Sequence, residues 1–486
     1  MVSFFRKAAS ISGITLCSRI LGMIRDALIA FVFGASLTSD VFFIVFRPFD
    51  LLRKMMSEGL LSVSFIPVFS SYLACGRKDQ AVSMFLSAVF IIVSLSAGMI
   101  CLGFYFAPAI IKLLAPGYAQ DLYAVTLGAL LFKIMLPYLL TILGVALSMG
   151  VLNSLGSFHV PAFIPVLLNL TMIGAALFLA DKFHPKILAL GVGVTLGGIA
   201  QLVFHLPSLI KFKMLDFKHF VFFHPGVIQT LKNIIPSMVG AAAFQVNILV
   251  AGLWASTLIP GAVSFLYYAE RLVQLPLALF AVSLSTVFFP LLAGRAATQS
   301  LGLVQPAFEA GIRLVFFLTI PAMAGIMALN RPIVAVLFGR GAFDSLAVAH
   351  TGRCLFFLAA GLWAVAGTRI FASFHQALSN VRLPFVAGMV TIVTNLCLVR
   401  VLADVLGVEG LALSVCLSSV AGFIILLIGS LAHIRLTRIL VSACRAVFIS
   451  GIMFFLVRWI WTFWMQGTMI VQAAGLVATI FTGIIF

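Results

Sequence analysis

Long apolar runs, each of about twenty residues or more, follow one another along this chain, separated by short polar, glycine or proline punctuation. Within a run the apolar positions are continuous rather than alternating. That predicts helices and excludes a barrel of amphipathic strands. A helix satisfies its own backbone and can therefore cross hydrocarbon. About fourteen spans are expected, at roughly 12–34, 40–70, 82–107, 123–151, 160–180, 187–210, 229–256, 262–293, 307–329, 346–376, 384–403, 409–433, 440–463 and 468–486. The fold class is an all-α polytopic membrane protein. The second run is too long for a straight crossing, so it tilts, bends at Pro48 or leaves the membrane. The first run is interrupted by Arg19, Arg25 and Asp26 and has no small-residue cleavage site before it, which argues against a cleavable signal peptide.

The same pattern recurs at an offset of about 223 residues. Pro67 pairs with Pro290. Ile110, Leu114, Asp121, Ala124 and Val125 pair with Ile333, Leu337, Asp344, Ala347 and Val348. Pro161 pairs with Pro384, and the "LAL" at 188–190 with that at 411–413. A register held over that length points to a duplication, with six spans in each half. An even number inserts both halves the same way up, so they form parallel repeats. The expected organisation is an N-terminal lobe over 1–223, a C-terminal lobe over 224–437 and two further helices over 438–486.

Composition changes the picture only in its charge. The chain is 63% hydrophobic and 9% charged, with mean hydropathy +1.23 and a formal net charge of +17. In a membrane protein this excess reads as loop bias and contact with anionic lipid, with no nucleic-acid partner. With the N-terminus in the cytoplasm, the inside loops and tail hold more Lys and Arg than the outside loops, so both termini are expected inside. The seven cysteines and eight histidines are scattered without metal-ligand spacing, so no metal or other cofactor is expected.

The scarce charge is concentrated in "DVFFIVFRPFDLLRKMMSEG" (40–59). On an ideal helix Asp40, Arg47, Lys54 and Glu58 share a stripe, with Asp50 at its flank and Arg53 three residues from Asp50. Ser18 with Arg25 and Arg19 with Asp26 form adjoining faces of the first helix. The eighth carries Tyr267, Glu270, Arg271 and Gln274 on one face. An arginine in the membrane faces protein or water, because exposing it to lipid costs at least about 2.5–3.5 kcal/mol. Two readings follow. The charges lock helices together as ion pairs, or these helices wall a wet cavity in which arginines bind an anion bidentately. The second is the expectation here, with Arg25, Arg53 and Arg271 as the mid-membrane set.

The stretch "SRILGMIRDALIAFVFGASLTSDVFFIVFRPFDLLRKMMSEGLLSVSFIPVF" (18–69) resembles the N-terminal signature of the MurJ (MviN) family, lipid II flippases of the MOP exporter superfamily. "LFKIMLPYLL" (131–140), "PAFIPVLLNL" (161–170) and "YYAERLVQLP" (267–276) are similar to other family segments. The resemblance implies fourteen helices, two six-helix lobes and a terminal helix pair that grooves the polyprenyl tail. It implies a non-enzymatic protein of the bacterial inner membrane that moves lipid II, the polyprenyl-diphosphate-linked peptidoglycan precursor, between leaflets by alternating access. Its partners would be lipid II, membrane lipids and the cell-wall synthesis machinery. It further implies that Arg19, Arg25, Arg53 and Arg271 bind substrate and that Asp26, Asp40 and Glu58 support or gate; Glu270 joins them from the charge pattern. The chain departs from the family at Pro48, one place early, and at Asp50, where an Asn is usual. Sodium-binding members use acids in helices seven and eleven. Here Gln245, Asn247, Thr391, Thr394 and Asn395 are all neutral, so sodium is not expected; whether the membrane potential or an ion gradient drives transport stays open.

The rival functions are a multidrug antiporter of the same superfamily and a polyprenyl-phosphate-dependent glycosyltransferase. The antiporter would favour a carboxylate-lined cavity, and the transferase a catalytic acid–base set on a sizeable loop. Lys133 and Arg369 are further intramembrane cations that either line the cavity or snorkel. "GVGVTLGG" (191–198) reads as close helix packing rather than a nucleotide loop. Asp404 and Glu409 read as a solvated outside loop.

Overall fold

In the computed structural model the residues described are 2–56, 64–285, 288, 301–378, 380, 382–431, 434–464, 471–472, 475–476 and 478–479. They form sixteen α-helices, and no strand occurs among them. The chain divides into two compact units, Met1–Ala242 and Ala243–Phe486.

The first unit contains α1 (Val2–Phe33), α2 (Leu37–Met55), α3 (Ile66–Ala74), α4 (Lys78–Leu114), α5 (Leu122–Ser154), α6 (His159–Gly174), α7 (Leu188–Lys211) and the start of α8 (Pro225–Ala255). Helix α5 is its centre, packed against α2, α4 and α7, while α6 ties α1 to α7. Phe65, Phe69, Phe85, Leu147 and Val151 form a buried cluster joining α3, α4 and α5. The glycines of 191–198 do what small residues do between membrane helices, which is to let backbones approach. A Cβ on Gly193 would stand 2.6 Å from the Ala175 Cβ, and one on Gly198 would overlap Thr141 and Tyr138. Helix α2 runs through Pro48 without ending. The expected long second span is thus a helix to Met55 and a separate one from Ile66, with 57–63 outside the described residues.

The second unit holds the rest of α8, then α9 (Ala262–Pro276), α10 (Leu301–Ala328), α11 (Asn330–Phe338), α12 (Ser345–Ala360), α13 (Leu362–Ala377), α14 (Arg382–Leu406), α15 (Val408–Gly429) and α16 (Leu436–Trp464). Adding 223 to the bounds of α4, α5 and α6 gives 301–337, 345–377 and a start at 382, which are the positions of α10–α11, α12–α13 and α14. The repeat extends to the capping chemistry. Asp121 accepts from the Ala124 N–H at 3.0 Å to start α5, and Asp344 accepts from the Ala347 N–H at 2.8 Å to start α12. The halves differ where the second breaks its helices, at Leu329 and at Gly361, where an added Cβ would stand 3.2 Å from the Cα of Cys416 on α15. After Pro276, which lacks an N–H, helix α9 continues as a π segment over Leu277–Val282. Helix α16 packs on α10, with Met453, Val457 and Trp461 turned inward and Phe448, Phe455, Trp459 and Phe463 exposed. Of the expected last span, 468–486, only isolated residues are described.

Ten of the described helical stretches are long and apolar enough to cross a membrane. Helix α2 is not one of them, because its nineteen residues include Asp40, Arg47, Asp50, Arg53 and Lys54.

Candidate functional site

In the first unit the charge of α1 and α2 is buried and organised. Arg25 and Asp26 are 6% and 3% exposed. The Arg25 guanidinium donates from Nε and Nη2 to Asp26 Oδ1 at 3.0 and 2.6 Å, and from Nη1 to Asn169 Oδ1 on α6 at 3.0 Å. Asn169 returns its Nδ2 to the Ser18 carbonyl at 3.0 Å. One amide therefore clamps α6 to α1 and orients the arginine. Arg19 stands half-buried on α1 and makes no ion pair with a described residue. Helix α2 opens with Ser36 as its N-cap, and Asp40, at 0% exposure, leads into the buried run Val41–Phe46. Asp40 Oδ2 accepts from the Tyr118 hydroxyl at 2.9 Å. Tyr118 lies in the short turn between α4 and α5, where burial first and the Asp40 carboxylate second push its phenol up, so it remains a donor. About half a turn after Pro48, Asp50 holds two cations, Arg53 at 2.6 Å and Lys54 at 3.0 Å, through spacings of three and four residues. Arg53 keeps 28% of its side chain exposed, the most open of these buried pairs. Glu58 lies outside the described residues.

The second unit holds the others. On α9 the Arg271 guanidinium lies over the Tyr267 ring, 4.9 Å from its centroid, and donates to the Tyr267 hydroxyl at 2.8 Å. Glu270 borders a small cavity of about 40 Å³ with Gln274, Gly361, Val415, Cys416 and Ser419. The structure thus brings together Arg25 with Asp26, Arg53 with Asp50, and Arg271 with Tyr267.

Residues 29–486 match the family described as "MurJ: Lipid II flippase MurJ". This chain belongs to the MurJ family of lipid II flippases. A probable lipid II flippase MurJ of Buchnera aphidicola is 33% identical over 426 residues, covering 87% of this chain and 83% of that one. Among solved structures, a lipid II flippase MurJ in an inward closed conformation superposes with a TM-score of 0.83 at 27% identity, covering 98% of this chain and 97% of that one. An inward-facing multidrug transporter of the MOP superfamily reaches a TM-score of 0.74 at 14% identity over 90% of this chain and 98% of that one, a likeness of fold alone. MurJ is a flippase family of multi-pass inner-membrane proteins, not a family of enzymes.

Several partners of these charges escape sequence reasoning. Asn169 and Tyr118 are 144 and 78 residues from the groups they hold, and no local spacing announces them. Glu409 corrects the expected solvated loop. It is 8% exposed at the start of α15, bound to His350 Nδ1 at 2.9 Å and near Arg353 at 3.5 Å. Glu309, 4% exposed on α10, accepts from the Arg435 backbone N–H at 2.8 Å.

For a sodium ion, the second unit offers Asn247 and Asn395, both fully buried, joined through Asn395 Nδ2 to the Asn247 carbonyl at 3.1 Å and through Asn247 Nδ2 to Ser418 at 3.2 Å. Their side-chain oxygens have no hydrogen-bond partner. Both oxygens are neutral. No cluster of metal-binding side chains occurs among the described residues, and the side chain of Gln245 lies outside them.

Proposed function

We propose that this chain carries lipid II from the inner to the outer leaflet of the bacterial inner membrane by alternating access. The observation that carries the reading is the family match over 29–486, together with charge buried on α1, α2 and α9 in helices otherwise built for lipid. The diphosphate of the cargo bears about two negative charges that hydrocarbon does not admit unaided, and a planar guanidinium replaces their hydration with paired hydrogen bonds.

In this account Arg53 and Arg271 meet the diphosphate, with Arg19 beside them. Each is already poised. Asp50 holds Arg53 through Nη2, and Tyr267 holds Arg271 through its neutral hydroxyl. Arg25 acts as the cation of a closed network with Asp26 and Asn169, and reaches the cargo only if Asp26 lets go of its Nε and Nη2. Asp40 gates one end of α2 through Tyr118, Glu58 the other, and Glu270 positions Arg271. The exposed aromatic row of α16 supports a lipid-facing role for the terminal helices in holding the polyprenyl chain. Both termini lie in the cytoplasm on the loop-charge bias, and the cell-wall synthesis machinery receives the product.

The test is growth of a bacterium depleted of its own flippase and supplied with stably inserted variants. Arg53→Lys and Arg271→Lys are expected to fail as Ala does, because lysine keeps the charge and loses the fork. Normal growth with all of the Ala variants would leave these arginines as structural pairs. The antiporter alternative rests on the fold alone at 14% identity.

A further inference from the structure

Between the end of α4, the turn at 115–121 and the first three turns of α5 lies a cavity of about 630 Å³. Two cations enter it, Lys112 from α4 and Lys133 from α5, with Gln120 and Thr126 as the other polar side chains and Pro108 and Leu130 among its apolar wall. No acid lines it. Neither lysine makes an ion pair or hydrogen bond with a described residue. Asp121, in the adjoining turn, is turned into the helix cap of Ala124, and Asp40 behind it accepts from Tyr118. A pocket with two unneutralised cations beside an apolar wall is built for an anionic amphiphile.

Depth fits such a ligand. Helix α5 has 33 residues, about 50 Å at 1.5 Å per residue, against a hydrocarbon core of about 30 Å. Centred, it overhangs by about 10 Å at each end, while Lys133 lies about 16 Å from its start. The ammonium therefore snorkels along the four-carbon stem to the headgroup level, where Lys112, exposed at the end of α4, already stands. Thr126, Leu130 and Lys133 share one face of α5. Leu122 in its lining is 80% exposed, and Leu113, next to Lys112 in sequence, is 74% exposed, an apolar surface for an acyl chain.

We propose that this pocket binds the phosphate of an anionic phospholipid, held between Lys112 and Lys133 with the acyl chains over the rim. The pocket shares its wall with the turn whose Tyr118 holds Asp40, so an occupied pocket braces that contact.

Native mass spectrometry of the full chain in mild detergent tests it, with phosphatidylglycerol, phosphatidylethanolamine and inorganic phosphate as separate probes. The expected result is retention of one phosphatidylglycerol in preference to phosphatidylethanolamine. Affinity should fall about fivefold with Lys112→Gln and more than tenfold with Lys112→Gln and Lys133→Gln together, with Lys133→Arg close to wild type. Lys112 sits exposed at a helix end, so its replacement leaves the fold intact and reads binding alone. Equal retention of the two lipids, undiminished phosphatidylglycerol in Lys112→Gln, or displacement of the lipid by millimolar inorganic phosphate would overturn the assignment.

Discussion

Breaking the Arg25–Asp26 pair one side at a time should be far worse than removing both. Their side chains are 7% and 4% exposed and 2.6 Å apart, so Arg25→Met takes a buried carboxylate's paired cation away and Asp26→Leu takes a buried guanidinium's paired anion away. An uncompensated buried charge of this kind costs about 3–5 kcal/mol. The double variant keeps the volume and carries neither charge. The loss it keeps from Arg25 is the Asn169 Oδ1 acceptor deprived of its donor, about 1–3 kcal/mol. The two single losses would sum to about 6–10 kcal/mol, so a double variant at 1–3 kcal/mol reveals a strong favourable coupling. Denaturant unfolding of the purified protein in mild detergent, followed by tryptophan fluorescence, measures all three variants against wild type. Additive losses, or an Asp26→Leu protein as stable as wild type, would refute the reasoning that this pair is buried and mutually neutralising. The same double variant should fold and yet fail to support growth if Arg25 also serves the cargo.

Three other outcomes follow from particular contacts. Gly198→Ala drives a Cβ into Thr141 and Tyr138 and should lower stability by about 2–3 kcal/mol, whereas Gly174→Ala, with nothing within 4 Å, should leave the melting temperature unchanged or raised. His224 donates from Nε2 to Gln80 at 2.9 Å and accepts at Nδ1 from the Gly226 N–H at 3.1 Å, and burial lowers its pKa. The unfolded chain therefore takes up this proton first. Stability from this site is intact above about pH 6.5 and falls as pH drops through that value, and the melting temperature of His224→Gln should show a shallower acid dependence between pH 7.5 and 5.5. Reporter fusions at 73–80 and 181–186 should report opposite sides of the membrane, the first cytoplasmic; the same side for both would contradict the topology.

Much of the frame was legible before any coordinates, because hydrocarbon imposes one secondary structure and the duplication imposes a register. The offset of 223 carried Asp121 onto Asp344, and both cap helices. The pairing of Asp50 with Arg53 and Lys54 was legible too, since spacings of three and four residues meet on any helix. What stayed hidden was contact between helices distant in sequence. Nothing local marks Asn169 as the partner of Arg25, Tyr118 as that of Asp40, or His350 as that of Glu409. Charge pattern suggested a mid-membrane set of three arginines as though equally available. Burial separates two of them: Arg25 is 6% exposed, while the Arg53 side chain keeps 28% of its surface open. The need for a glycine at 361 was equally hidden, because the group an added Cβ would crowd is Cys416 on another helix.

The central claim, that this chain moves lipid II across a bilayer through its arginines, is tested most directly in a bacterium depleted of its own flippase. Intact cells are treated with a lipid-II-cleaving toxin that reaches only the outer leaflet, and the cleaved soluble headgroup is quantified. Wild type should restore cleavage to the level of undepleted cells. Arg53→Lys and Arg271→Lys, inserted at equal abundance, should leave lipid II uncleaved and accumulated inside. Full cleavage with both variants, or none with wild type, would contradict the account.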